Sequence, residues 1–165
     1  MTNGPLLEFQ IGIYLPGDEV LLPVRGDSVL LHGEMHSIVP LDRLEVVHNG
    51  KIIERIPLAG DRRHAKFEKP VRVEASGWFT LQAMANAATH PIEDSRPMAT
   101  TNPIYVSVGG RPIRSKLSAD YFVRWIDKLA QLAGEHPGWR SEKEKQHVLT
   151  QFAEARAVYV LRGKG

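Results

Sequence analysis

As far as Pro112 the chain breaks repeatedly on turn-forming residues, at Pro16-Gly17, Gly26-Asp27, Pro40, Asn49-Gly50, Gly60-Asp61, Ser76-Gly77 and Gly109-Gly110, and beyond it the breaks give way to a different rhythm. Segments cut this often have room for strands but not for packed helices, which is the grammar of an all-β sandwich or barrel. Seven strands are read between the breaks. LEFQIGIY puts Phe9, Ile11 and Ile13 on one face, and DSVLLHGEMHS follows, its Gly33 marking a bulge or a close backbone approach. RLEVV and KIIERI come next, then FEKPVRVEA, WFTLQAMA and NPIYVSV. Pro70 confines its strand to a sheet edge or a bulge, because proline cannot donate to the ladder.

The stretch PLDRLEVVHNGKIIERIPLAG is the clearest local unit. Asn49-Gly50 is the residue pair best able to hold the two positive φ angles of a type I′ turn, whose twist matches that of the flanking strands. That register sets Val46 against Ile53 on one face and Val47 against Ile52 on the other, which reads as an inner, sandwiched hairpin. Between LQAMA and IYVSV lies the longest irregular segment, NAATHPIEDSRPMATTNP. Loops of this length in compact domains are functional or disordered more often than not.

After Pro112 the apolar period becomes that of a helix. LSADYFVRWIDKLAQLAG has Ser118 as N-cap, a stripe of Phe122, Trp125, Ile126, Leu129 and Ala133, and Gly134 as its stop. SEKEKQHVLTQFAEARAVYVL opens on a capping box of Ser141 and Glu144 and aligns Val148, Phe152, Ala155 and Tyr159. The fold expected is mainly β, an immunoglobulin-like β-sandwich of about seven strands with a C-terminal pair of α-helices. One domain is expected over residues 1–165, with the sandwich in 5–113 and a packed helical tail in 114–165.

Composition narrows the function classes. Twenty-one Lys and Arg against 19 Asp and Glu leave a net charge of +2, so no nucleic-acid footprint is implied. No apolar run approaches the roughly 20 residues of a spanning helix, and no membrane partner is expected. The absence of cysteine excludes disulfides, thiolate metal sites and a cysteine nucleophile. MTNGPLLEFQ lacks the basic and apolar regions of a signal peptide, which leaves the compartment open.

Motifs of chemistry are few. HGEMH, residues 32–36, has two histidines around a glutamate but not the helical His-Glu-x-x-His order of a zincin. In a strand, His32 and His36 stand about 13 Å apart along the axis, too far to share an ion about 2 Å from each. No metal ligand and no cofactor are expected on this basis. AGDRRHAKFEK clusters Arg62, Arg63, Lys66 and Lys69, but Asp61 and Glu68 dilute it and a solvated turn accounts for it. No phosphate loop, dinucleotide fingerprint or nucleophile elbow is present. The loop from Asn86 to Pro103 holds His90, Glu93, Asp94 and Arg96, residue types suited to ligand binding or acid–base work. With Trp78 as a stacking surface, His90, Glu93 and Arg96 form the candidate ligand site, and no catalytic residue is assigned.

Three stretches taken in order, TNGPLLEF, PLDRLEVVHNGKII with its downstream SGWFTLQA, and TTNPIYVSVGGRPI, carry a family resemblance. They resemble the region that follows the catalytic barrel in metallohydrolases of the polymerase-and-histidinol-phosphatase (PHP) type, in the branch that includes carbaryl hydrolase. The likeness extends to the tail ending EARAVYVL. In that family the metal ligands lie upstream, as His-x-His pairs, acidic residues and a late Asp-x-His. This chain has no His-x-His, and Asp61 to His64 is one residue too long for the other motif. TNGPLL resembles the join at which the barrel ends. Where the family favours Ala-His-Thr, this chain has Ala99-Thr100-Thr101. The resemblance implies a non-catalytic accessory domain that stabilises a parent hydrolase or mediates assembly, its partner being the parent's catalytic barrel or a second copy. The alternative is a stand-alone ligand-binding sandwich module, with carbohydrate among its candidate ligands.

Overall fold

Strands whose odd-numbered residues are apolar can pair only if those residues share a face, and this condition organises the first half of the molecule. In a computed structural model that describes residues 1–92 and 95–164, β1 (Leu6–Ile11), β3 (Asp27–His36) and β6 (His64–Val73) form a three-stranded antiparallel sheet in the order β1-β3-β6. Phe9, Ile11, Val29, Leu31, Met35, Phe67 and Val73 point inward and are buried, while the even-numbered residues face out. The second sheet holds β2 (Glu19–Leu22), β4 (Arg43–His48), β5 (Lys51–Arg55), β7 (Gly77–Met84) and β9 (Ile104–Val108), in the order β2-β9-β7-β4-β5, with β8 (Met98–Thr100) also on β7. Its inner face supplies Leu44, Val46, Phe79, Leu81, Ala83, Ile104, Val106 and Val108 to the same core. The result is mainly β, two sheets sharing one hydrophobic core in the manner of a sandwich, followed by two helices.

Among the described residues there are nine strands where seven were read. β2 is four residues long and pairs with β9 in parallel, too short to show a period of two. β8 and β9 lie along the same edge of β7 and amount to one interrupted strand. At the interruption the Thr101 hydroxyl accepts from the Leu81 amide at 3.1 Å, beside Pro103, which has no amide hydrogen to offer.

Several local readings need correction. Phe9 and Ile11 are buried, but β1 ends at Ile11, the chain turns at Gly12 with φ +59°, and Ile13 is left exposed. The β4–β5 turn has Asn49 at φ 50° and Gly50 at φ 79°, the two positive angles anticipated. A register shift between Val46 and Val47 then sets Val46 against Glu54, leaving Ile53 without a partner, while Val47 faces Ile52 as read. β5 is therefore an edge strand with exposed isoleucines, and only β4 is an inner one. Pro70 does lie on an edge strand, opposite Leu30. Gly33 is a close approach rather than a bulge, since a Cβ there would meet the Phe67 ring at 2.3 Å and the Leu81 side chain at 3.2 Å.

The chain divides into two compact units, Met1–Ile113 and Arg114–Gly165, at the boundary where the period changes. The second unit pairs α1 (Lys116–Glu135) with α2 (Glu142–Arg162). α1 is capped three residues earlier than expected: Ser115, not Ser118, is the N-cap and accepts from the Ser118 amide, and the helix runs past Gly134 to a cap at His136. Ser141 caps α2 as expected, accepting from the Glu144 amide at 3.2 Å, while the Glu144 carboxylate reaches back to the Arg140 amide at 3.1 Å. α2 half-buries Val148, Phe152, Ala155 and Tyr159, the stripe its sequence shows. On α1, Ile126, Leu129 and Ala133 of the expected stripe are buried or half-buried together with Ala119, Val123 and Ala130, while Phe122 and Trp125 fall on the exposed side. Three of these inward residues are alanines, and the larger rings lie to the flank of the seam. Phe122 stacks on Tyr159 with ring centroids 4.8 Å apart, and Asp127 accepts from Arg156 Nε at 2.7 Å.

Candidate functional site

The outer face of the three-stranded sheet carries a close grouping of titratable side chains. Strict alternation turns Glu34 and His36 of β3 outward together with His64, Lys66 and Glu68 of β6. The register places His36 beside His64, Glu34 beside Lys66 and His32 beside Glu68. The Ser37 amide donates to the Arg63 carbonyl at 2.8 Å, which makes 37/63 a hydrogen-bonded pair and 36/64 the narrower kind, in which side chains come closest. The His36 and His64 ring centroids are 4.5 Å apart, and their planes are tilted by 48°.

Both imidazoles address one atom. Glu34 Oε1 lies 2.7 Å from His36 Nε2 and 3.2 Å from His64 Nε2, and its other oxygen is 3.3 Å from Lys66 Nζ. A carboxylate oxygen only accepts, so each ring donates an Nε2–H. These contacts, from His64, His36 and Lys66 in that order, hold the Glu34 carboxyl down at about 2. His32 makes a separate pair, its Nδ1 3.3 Å from Glu68 Oε2. Between the two groups a shallow groove of about 170 Å³ is lined by Glu8, Gln10, His32, Glu34 and Lys66.

The expectation of no metal ligand rested on spacing along one strand. His32 and His36 do lie four residues apart on β3, but the neighbour that matters is across the ladder: Glu34, His36 and His64 each offer a ligand atom, and all these atoms lie within 4.8 Å of one another. Sequence reasoning weighed His64 only against Asp61 and did not pair it with Glu34 or His36. The strand read as FEKPVRVEA begins in fact at His64, three residues earlier, and this extension is what brings His64 opposite His36.

Of the expected ligand site, the described residues place Trp78 and the start of the loop at opposite ends of β7. Trp78 stands at the start of β7, half-buried and opposite Tyr105, while the loop leaves from the other end of that strand after Met84. Six residues of strand separate them, about 20 Å. His90 and Arg96 are both exposed, and the Arg96 carbonyl accepts from Asn3 Nδ2 at 2.9 Å. Glu93 and Asp94 lie outside the described residues. The basic stretch is largely ion-paired: Arg62 with Asp42 at 2.6 Å, Lys66 with Glu34 and Lys69 with Glu54 at 3.1 Å. No helix among the described residues is long and apolar enough to cross a membrane.

A second surface feature belongs to the helical unit. Leu117, Tyr121 and Trp125 recur every four residues along α1 and are 78%, 54% and 54% exposed, and Leu132 extends the row at 51%.

No protein-family model and no curated protein sequence matches the chain. Among solved structures it is similar to the CARDB domain of a Pyrococcus furiosus protein, in a solution structure at 15% identity and a TM-score of 0.40, covering 63% of this chain and 96% of that one. A crystal structure of the same domain, in complex with di-metal ions, matches at 15% identity and a TM-score of 0.39, covering 63% and 90%.

Proposed function

We propose that the chain is a non-catalytic accessory module of a PHP-type metallohydrolase, an immunoglobulin-like sandwich whose helical hairpin docks on the parent's catalytic barrel. The observation that supports this reading most directly is the row of Leu117, Tyr121, Trp125 and Leu132 on α1. Full burial of an apolar side chain of this kind is worth about 1.5–3 kcal/mol. A two-helix hairpin has a single inner seam, and Leu117, Tyr121, Trp125 and Leu132 lie off it, so these large side chains gain little from burial until a further surface covers them. Contiguous exposed apolar rows of this sort mark protein–protein contacts. The sequence resemblance supplies the partner, because the region it matches follows a catalytic barrel in its family.

The test is co-elution of the full chain with a PHP-type barrel, ideally the one encoded upstream. Trp125→Glu is expected to abolish co-elution while leaving the thermal transition of the chain in place. A wild-type chain that neither co-elutes with the barrel nor loses any contact on this substitution overturns the reading. A chain that forms dimers sensitive to Trp125→Glu replaces the barrel with a second copy.

A further inference from the structure

We propose that Glu34, His36 and His64 form a binding site for one divalent transition-metal ion of borderline softness, of the zinc, nickel or copper class. The argument is geometric. Donor atoms on neighbouring corners of a tetrahedron with bonds of about 2.0–2.1 Å are separated by about 3.3 Å. Glu34 Oε1 stands 2.7 Å from one Nε2 and 3.2 Å from the other, so a modest outward movement of the rings opens the centre of such a set. The rings already converge: both present Nε2, from adjacent strands of a narrow pair, with centroids 4.5 Å apart.

The ladder fixes the two backbones, and the tertiary fold therefore supplies most of the preorganisation. On binding, each imidazole carries its proton on Nδ1 and turns the Nε2 lone pair to the ion. Water completes the coordination, because the outer face of the sheet is open. Two imidazoles and one carboxylate select the later first-row ions over magnesium and calcium, which take oxygen donors. Lys66 opposes the ion. Its ammonium lies 3.3 Å from the second Glu34 oxygen and must swing away, which its exposed side chain permits.

The experiment is a calorimetric titration of the full, untagged chain with zinc chloride and nickel chloride, with magnesium chloride for comparison. One ion per chain is expected for zinc and nickel and none for magnesium. His36→Ala and His64→Ala are each expected to weaken binding by about tenfold or more, the range seen even for residues that only support a ligand. Lys66→Ala is expected to tighten it, a gain that a purely structural hydrogen-bond cluster has no reason to show. His32→Ala, in a pair of its own, is expected to leave it unchanged. In the wild-type chain, substoichiometric copper(II) is expected to broaden the His36 and His64 ring protons before those of the other histidines, a readout that needs no variant to fold. Absence of zinc and nickel binding, broadening centred on other histidines, or stoichiometric binding retained in the His36→Ala/His64→Ala double variant overturns the proposal.

Discussion

His48 ends β4 with its imidazole stacked on Phe79, ring centroids 4.2 Å apart and planes 11° from parallel. Its Nε2 is buried without a hydrogen-bond partner among the described residues, and a Cβ at residue 77 would come within 2.5 Å of that atom, which explains why Gly77 carries no side chain. A charged imidazole in such surroundings is poorly solvated, and burial pushes the His48 pKa below its usual 6.5. The sign follows directly. Below pH 6.5 the unfolded chain takes up a proton here that the folded chain refuses, so this residue's contribution is intact above 6.5 and is lost as pH falls toward the lowered value. Denaturant titrations at about pH 7.5 and about pH 5.5 are expected to show a larger acid loss for the wild-type chain than for His48→Leu. Equal losses would place the proton uptake elsewhere. Gly33 makes the same point about space: the Phe67 ring occupies the volume a side chain would need.

At the scale of elements, the β4–β5 hairpin separates what a turn demands from what an edge strand tolerates. Gly50 has φ 79° and open space where a Cβ would go, so a side chain there meets conformational strain and nothing else. Gly50→Val is expected to cost about 1–3 kcal/mol, the range for a strained backbone position. Lys51 is exposed, extended and on the edge strand, and Lys51→Thr is expected to be close to neutral because threonine suits a pleated, half-solvated site. Coincident denaturant midpoints for the two variants would mean that the turn is not held in this conformation. The helices obey a similar division. Ser141 and Glu144 fix where α2 begins by local hydrogen bonds, whereas which residues of α1 face inward is set by its pairing with α2.

At the scale of the whole molecule, the two units differ in how they are held. The first has a core whose members run from Phe9 to Val108, all within Met1–Ile113. Among its described residues the second buries only Ala119 and Ile126, and isolated helices are marginal without packing. Residues 1–113 produced alone are therefore expected to melt cooperatively at a temperature close to that of the full chain. An insoluble or dye-binding product would instead make the tail integral to the sandwich, as the single-domain expectation holds.

The alternation of β1, β3 and β6, the Asn49-Gly50 turn, the Ser141 cap and the change of rhythm after Pro112 are all legible in the sequence, because each is set by residues within a turn or two of one another. What the sequence could not show is adjacency between distant strands. His64 joins Glu34 from 30 residues away, through a ladder register that no local pattern encodes. The bulge at Ile53, the interruption at Thr101 and the burial of Ala119 in place of Trp125 have the same origin, since each depends on the shape of a neighbouring element. The sequence alone thus determined the elements and the faces they present. Which faces meet, and so which side chains share a site, was decided only by tertiary packing, where volume and ladder geometry outweigh local preference.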